Sequence, residues 1–209
     1  MPSASEVTDR RSAVRERHHE DIIGAAIALM EEVGGTSFTV DQLAERADVS
    51  RRTIFNHFAS IDDVIAHAGS RVLGMVIDGL LAQATDALAQ ADAESMTDEL
   101  IAILRGSEVV APLSYLARVL GGGEPYANCP PALMQHTMTH VTETLGATMA
   151  QRYPAVDRLD IDLVVTSLIS GVAVVHRHWA ESTGAVDTPD SREQWSRMID
   201  HLISTVPRP

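Results

Sequence analysis

An all-α fold is predicted by three observations. Apolar residues recur at helical spacing along nearly the whole chain, no stretch alternates apolar and polar residues as a half-buried strand would, and Gly and Pro cluster at a few breaks. A chain of 209 residues is long enough for one well-filled core, or for a small head on a larger body. The pattern divides into a flexible N-terminal arm (1–14), a helix-turn-helix head (15–66) and an all-helical body (67–209), with a long connector helix joining head to body.

In chain order, the first helix spans Ile22 to Val33. Thr39 sits where an N-cap belongs, and Val40, Leu43, Ala44 and Ala47 would line one face of a short second helix. Asp48 and Val49 form a turn, and Ser50 offers a second N-cap hydroxyl directly before Arg51. So short a link forces a steep crossing between the two helices. Ile54, Phe55 and Phe58 are expected to face inward on the third helix, with Val49 filling the space between the helices. Ile61 to about Ala91 follows as the connector, opened by Asp62 and Asp63, whose charges suit the positive end of a helix dipole. Thr97 is expected to cap a segment ending near Arg105. A further helix runs from Ser107 to Leu120, with Pro112 tolerated in a first turn or at a kink. Gly121-Gly122-Gly123, Pro125, Pro130 and Pro131 break the pattern. Three helices remain: Pro131 to Arg152, Val156 to about Ser182, and Pro189 to Val206.

The turn and third helix carry the most informative chemistry. Arg51, Arg52, Thr53, Asn56 and His57 are left largely outward, beside the capping hydroxyls of Thr39 and Ser50. Arginine pairs bidentately with guanine and asparagine with adenine, while threonine offers a hydroxyl and a methyl. A helix with such a face fits the major groove of DNA. The bland alternative is a solvated helix face.

From Ile22 through Val64 the chain resembles the DNA-binding domain of the TetR family of bacterial transcriptional regulators. The likeness is carried by Thr39-Val40, Leu43-Ala44, Ala47-Asp48-Val49-Ser50, Arg52-Thr53-Ile54-Phe55 and His57-Phe58. The resemblance implies an all-helical homodimer with a three-helix head, a recognition helix from Ser50 to His57, and a divergent body that binds an inducer. Three positions depart from the family pattern. Asp48 stands where glycine is common, Phe55 where tyrosine is common, and Ile61 where a lysine usually touches phosphate. With a hydroxyl and an ammonium missing at the last two, phosphate binding falls to Arg51, Arg52 and the N-terminal Arg10, Arg11 and Arg15.

Composition agrees once the distribution of charge is considered. The formal net charge is −13, yet basic residues gather near the N-terminus and at the turn, and every one of them is arginine. DNA affinity depends on local charge, and an acidic body limits nonspecific adhesion to nucleic acid. The single Cys129 rules out an internal disulfide and fits a reducing cytoplasm. No secretory signal is apparent, and the apolar run Leu163 to Val175 is too short to span a bilayer. A cytoplasmic location and no membrane partner are expected.

The last two helices are candidates for a dimer interface. The first is apolar on more than one face, and Ser167 and Gly171 could admit a partner helix closely. The expected interface comprises Leu163, Ser167, Leu168, Gly171, Val172, Val175, Trp195, Ile199 and Leu202; the alternative is a core helix of a monomer. For an inducer pocket the candidates are Met75, Met96, Tyr115, Met134, Met138, His176 and Trp179, with Met149 also available. Plain core filling is the competing reading.

His136 and His140 are four apart, a spacing two metal ligands can use, but no further ligand accompanies them, so neither a metal nor a cofactor is expected. Gly-rich phosphate loops, nucleophile elbows and His-Glu-x-x-His helices are absent from the sequence, which argues against an enzyme. The combined expectation is a sequence-specific DNA-binding regulator, a repressor released from a palindromic operator by a small molecule. A DNA-binding or architectural protein without a ligand is the alternative.

Overall fold

Helices account for every regular element among the described residues. The computed structural model describes residues 4–90, 95–121 and 131–205, with the side chains of 4–13 and 131–133 outside the description. The elements are α1 (Ala4–Val33), α2 (Val40–Arg46), α3 (Arg51–His57), α4 (Ile61–Gln90), α5 (Met96–Gly106), α6 (Val110–Val119), α7 (Pro131–Arg152), α8 (Arg158–Thr183) and α9 (Pro189–Thr205). Two expectations change. Helix α1 begins at Ala4, where the sequence suggests an arm. Ser95, rather than Thr97, caps α5: its hydroxyl accepts from the Asp98 amide at 3.2 Å, and Thr97 is buried in the first turn. Pro112 falls in the first turn of α6, where its missing N–H costs nothing. Cys129 lies outside the described residues.

The chain divides into two units, residues 1–72 with 118–121, and residues 73–117 with 122–209. The expected boundary between 66 and 67 and the observed one after Val72 both fall inside α4.

The first unit is built on a small aliphatic and aromatic core. Ile22, Ala26 and Met30 of α1, Leu43 of α2, Ile54 of α3, and Val64, Ala68 and Val72 of α4 are fully buried, with Phe58 nearly so. Helix α1 ends where Gly34 turns left-handed at φ +64°, a conformation that favours glycine. The Gly35 amide then donates to the Met30 carbonyl at 3.0 Å. Arg118 donates to the exposed Glu31 carbonyl at 3.0 Å, satisfying one of the last acceptors of the helix.

In the second unit α8 packs against both α7 and α9. Ile161, Val165 and Leu168 join Leu81, Leu88, Leu100, Leu145 and Met149 in one core cluster. Val175 and Trp179 join Ile101, Leu113, Trp195, Ile199 and Ile203 in another. Trp179 is fully buried, packs edge-on against Trp195 at 5.5 Å, and donates its indole N–H to Ser191. At Gly171 a Cβ would lie 2.4 Å from the Leu202 side chain, so this glycine lets Leu202 of α9 sit directly against the α8 backbone. Among the described residues, two helices, α4 and α8, are long and apolar enough by length and composition to cross a bilayer. The run Leu163 to Val175 is too short to span alone, but it lies within α8, close to the helix expected from Val156 to about Ser182, and α8 as a whole is long enough; its inward residues go into the two clusters.

One buried charge ties α5 to α7. The Glu99 side chain is inaccessible and accepts from Arg152 Nε at 2.8 and 2.9 Å and from the Tyr153 hydroxyl at 2.9 Å. Burial, then the bond to Glu99, pushes the Tyr153 phenol upward. Removing one partner of such a pair leaves an uncompensated charge, whereas removing both does not. Arg152→Met is expected to destabilise the protein, because it leaves the inaccessible Glu99 carboxylate short of its counter-charge, and Glu99→Leu/Arg152→Met to do so clearly less. Urea unfolding of the two variants checks the order.

Candidate nucleic-acid interface and ligand cavity

The presentation of α3 begins with the turn before it. Asp48 adopts φ +51°, the left-handed region that glycine fills most cheaply. Its amide donates to the Glu45 carbonyl at 3.3 Å, and the Val49 amide donates to the Ala44 carbonyl at 3.0 Å. These crossed bonds are the Schellman arrangement, closing α2 over one residue. Both helix starts are capped. The Gln42 amide donates to the Thr39 hydroxyl at 3.2 Å while the Thr39 amide donates back to the Gln42 side chain at 2.8 Å. At α3 the Thr53 amide donates to the Ser50 hydroxyl at 3.0 Å, and the two hydroxyls share a further bond of 2.8 Å. The hydroxyls of Thr39, Ser50 and Thr53 thus shape the motif as well as lying beside its outer face.

Most of the expected DNA-binding residues have described side chains. Arg52 and Asn56 are exposed on α3, Thr53 and His57 are half-buried, and Arg15 is exposed on α1. Arg51 is exposed but its guanidinium grips both carboxylate oxygens of Asp41, linking α3 to α2. Arg46 is paired with Glu32 and Arg71 with Glu20. The side chains of Arg10 and Arg11 lie outside the described set. Phe55 corrects the sequence reading. It is 51% exposed, because Ile54 takes the inward position and its neighbour on a helix turns about 100° away. An aromatic ring therefore stands on the outer face with Arg52 and Asn56, where it can meet a thymine methyl or a sugar.

A cluster of rings gathers at the end of α3, beyond what the sequence reading anticipates. His57 lies 6.1 Å from both His18 and His19 of α1, His19 stacks on Phe58 at 4.6 Å, and His67 of α4 lies 6.0 Å from His19. Burial, then the positive charge of Arg15 and the neighbouring histidines, lowers the His57 pKa. His67 is held by Asp63, its Nδ1 lying 2.8 Å from the Asp63 carbonyl. The one signal of this cluster in the sequence is the adjacent pair His18-His19. No group of three potential metal ligands is assembled among the described residues.

The second unit contains a cavity of about 800 Å³. Its wall is mostly aliphatic: Leu73, Ile77, Leu81 and Leu88 of α4, with Leu145 of α7 and Leu168 of α8, are representative. Met134, Met138 and His176 line it, among the residues expected from sequence. Met75, Met96, Tyr115 and Trp179 do not. Met75 is 52% exposed, Met96 and Trp179 are committed to core packing, and Tyr115 lies on α6 outside the cavity wall. Met149 is likewise core. His176 is buried, and burial lowers its pKa to about 4, so the ring is neutral near pH 7. His136 and His140 are both exposed, and His140 Nε2 lies 3.5 Å from Asp78.

The expected dimer residues separate into two sets. Leu168, Val175, Trp195 and Ile199 are buried in this chain's own core, and Gly171, Val172 and Leu202 form the seam between α8 and α9. Only Leu163, 57% exposed, and Ser167 face outward. Leu159 and Val174, also exposed, extend the outward surface of α8.

Residues 22–68 match the family of bacterial regulatory proteins of the tetR type. No curated protein matches the chain. Among solved structures, a chain assigned to the TetR family of transcriptional regulators from Mesorhizobium loti MAFF303099 is 16% identical, with a TM-score of 0.61, covering 91% of this chain and 96% of that one. A TetR-family transcriptional regulator from Pectobacterium atrosepticum is 16% identical, with a TM-score of 0.59 and coverage of 94% and 98%. The multidrug binding protein EbrR, complexed with imidazole, is 20% identical, with a TM-score of 0.50 and coverage of 91% and 96%. These likenesses establish a shared all-helical fold.

The strain at Asp48 is directly measurable. Asp48→Gly is expected to stabilise the protein by about 0.5 to 1 kcal/mol, because the left-handed residue no longer carries a Cβ. A rise in the urea midpoint with an unchanged slope is the expected result.

Proposed function

For a chain that is a TetR-family transcriptional regulator, we propose the working form to be a cytoplasmic homodimeric repressor. Two copies of α3 read a palindromic operator, and a small molecule in the cavity of the second unit releases it. The observation that carries the DNA-reading part is the outer face of α3. Arg52, Phe55 and Asn56 are exposed together on a seven-residue helix fixed at both ends by hydrogen bonds. Base edges are read by just such guanidinium and amide groups, and phosphates by Arg15 and the N-terminal arginines.

Dimerisation supplies the spacing. Two recognition helices about 34 to 36 Å apart meet successive major grooves. The outward side of α8, with Leu159, Leu163, Ser167 and Val174, is the surface we assign to the partner copy. Such a use accounts for apolar residues on both sides of α8, one set buried in the chain and one covered by its copy.

Control by a ligand follows from α4. The same helix carries the core residues Val64, Ala68 and Val72 of the first unit and the cavity-lining Leu73 to Leu88 of the second. A ligand that favours a different setting of this helix needs only about 2.7 kcal/mol of differential affinity to loosen DNA binding 100-fold. The aliphatic cavity supports this reading over a DNA-binding protein without a ligand, which has no use for such a space. The family likeness favours a binding protein over a catalyst.

A selected DNA duplex and a scrambled one distinguish readers from anchors. Arg52→Ala and Asn56→Ala are each expected to lower affinity for the selected site by about 1 to 3 kcal/mol while sparing the scrambled duplex. Replacing Arg10, Arg11 and Arg15 is expected to weaken both duplexes alike and flatten the salt dependence. Fluorescence anisotropy across a salt series reads both effects. Unchanged discrimination in the Arg52 and Asn56 variants contradicts the assignment.

A further inference from the structure

The cavity geometry points to a neutral, mostly apolar ligand carrying one hydrogen-bonding group, an inference that rests on the ligand-controlled reading above. The volume of about 800 Å³ lies within the range of sites for drug-sized molecules. Among the described residues, the ionisable ones on its wall are His176, Arg177 and Glu181. Arg177 and Glu181 are exposed and one turn apart on α8, so their opposite charges favour neither sign. Inside, among the described residues, no carboxylate waits for a cation and no guanidinium for an anion. Trp195 is the one Trp, Tyr or Phe in the described wall, too few for a cage around a quaternary ammonium. An ion against this apolar wall would therefore give up part of its hydration without a counter-charge. The buried polar groups are Thr137 and His176, and a neutral imidazole can take part in a hydrogen bond but supplies no counter-charge.

Three probes of equal chain length test the class: 1-decanol, decanoate and decyltrimethylammonium, each below its micelle concentration. Displacement of the neutral fluorophore N-phenyl-1-naphthylamine from the full-length protein reports binding. Decanol is expected to bind about tenfold more tightly than either ion. His176→Leu is expected to weaken decanol about fivefold while leaving decane unchanged, and His176→Gln, which keeps a polar group, to retain most of the decanol affinity. An ion that matches or exceeds decanol overturns the ligand class but leaves the cavity as a binding site. If no probe displaces the fluorophore and Leu145→Trp, which puts a bulkier side chain into the cavity wall, leaves fluorophore binding unchanged, the site itself fails and the inference with it.

A different observation carries a second proposal. We infer that DNA binding is coupled to proton uptake by His57, which His18 and His19 crowd at the end of α3, resting on α3 being the DNA-reading helix. His57 ends α3, and from α1 it faces Arg15, His18 and His19. From α4 the cluster receives His67 with its partner Asp63, while Arg71 is neutralised by Glu20 and Arg51 by Asp41. Without DNA, partial burial and then the positive charge of Arg15 and the neighbouring rings disfavour the imidazolium of His57. A phosphate beside the cluster favours it. The DNA-bound state then holds more protons than the free state, so affinity rises as pH falls.

Affinity of the full-length protein for a selected duplex, measured from about pH 8 to about pH 6 at constant ionic strength, is expected to rise about tenfold. The triple variant His18→Gln/His19→Gln/His57→Gln is expected to show a nearly flat profile, and His18→Gln/His19→Gln an intermediate one. His136→Gln/His140→Gln, in the second unit, is expected to keep the full dependence. A flat profile for the unmodified protein, or an undiminished one for the triple variant, overturns the coupling. Absence of DNA binding at every pH overturns the DNA reading and this inference together.

Discussion

The α2–α3 turn is the constraint on which the rest of the first unit depends. One left-handed residue, Asp48, and two crossed backbone bonds close α2; one hydroxyl, Ser50, opens α3. With so little chain between them, the helices have few ways to bury Leu43 and Ile54 together. Once those two side chains are inside, geometry leaves Arg52, Phe55 and Asn56 outside. The Arg51 to Asp41 pair adds a side-chain tie between the same helices. The outer face is thus a consequence of how the turn is closed, and the caps that close it draw on Thr39, Ser50 and Thr53, residues that also border the proposed DNA surface.

Much of this is legible in the sequence because capping is local. Thr39, Asp48 and Ser50 announce their roles within a window of a few residues, and the structure places α2 and α3 accordingly. Phe55 departs from expectation because hydrophobicity does not by itself choose a face. Its neighbour Ile54 and the residue one turn on, Phe58, already fill the inward side. The histidine cluster is illegible for the opposite reason: His18, His57 and His67 are distant in sequence and meet only when α1, α3 and α4 pack. The cap of α5 falls at Ser95 rather than Thr97 because two hydroxyls two residues apart offer the same chemistry, and local pattern does not choose between them.

In the second unit, residue type misleads where position decides. Trp179 and Met96 have the chemistry of a ligand pocket but lie on core-facing positions, while aliphatic residues of α4 make much of the cavity wall. Helix α8 is apolar on two sides, and composition alone does not divide Leu168 and Val175, which serve the chain's own core, from Leu159 and Leu163, which face outward. Gly171 shows the same ambiguity: its missing side chain admits Leu202 of α9 rather than a partner helix. Helical periodicity identifies a face, but which neighbour covers it is set by tertiary packing.

The formal charge of −13 and the proposed DNA-binding role are compatible because DNA affinity responds to local charge, here the arginines of α3 and α1, and not to the total. The central claim is that the surface fixed by the α2–α3 turn reads DNA sequence as a two-fold pair. Selection of duplexes from a random pool by the full-length protein tests it most directly. Enrichment of a palindrome whose half-sites lie about one helical turn apart is the predicted result. Recovery of no common sequence, with every duplex bound equally and released equally by salt, would contradict it.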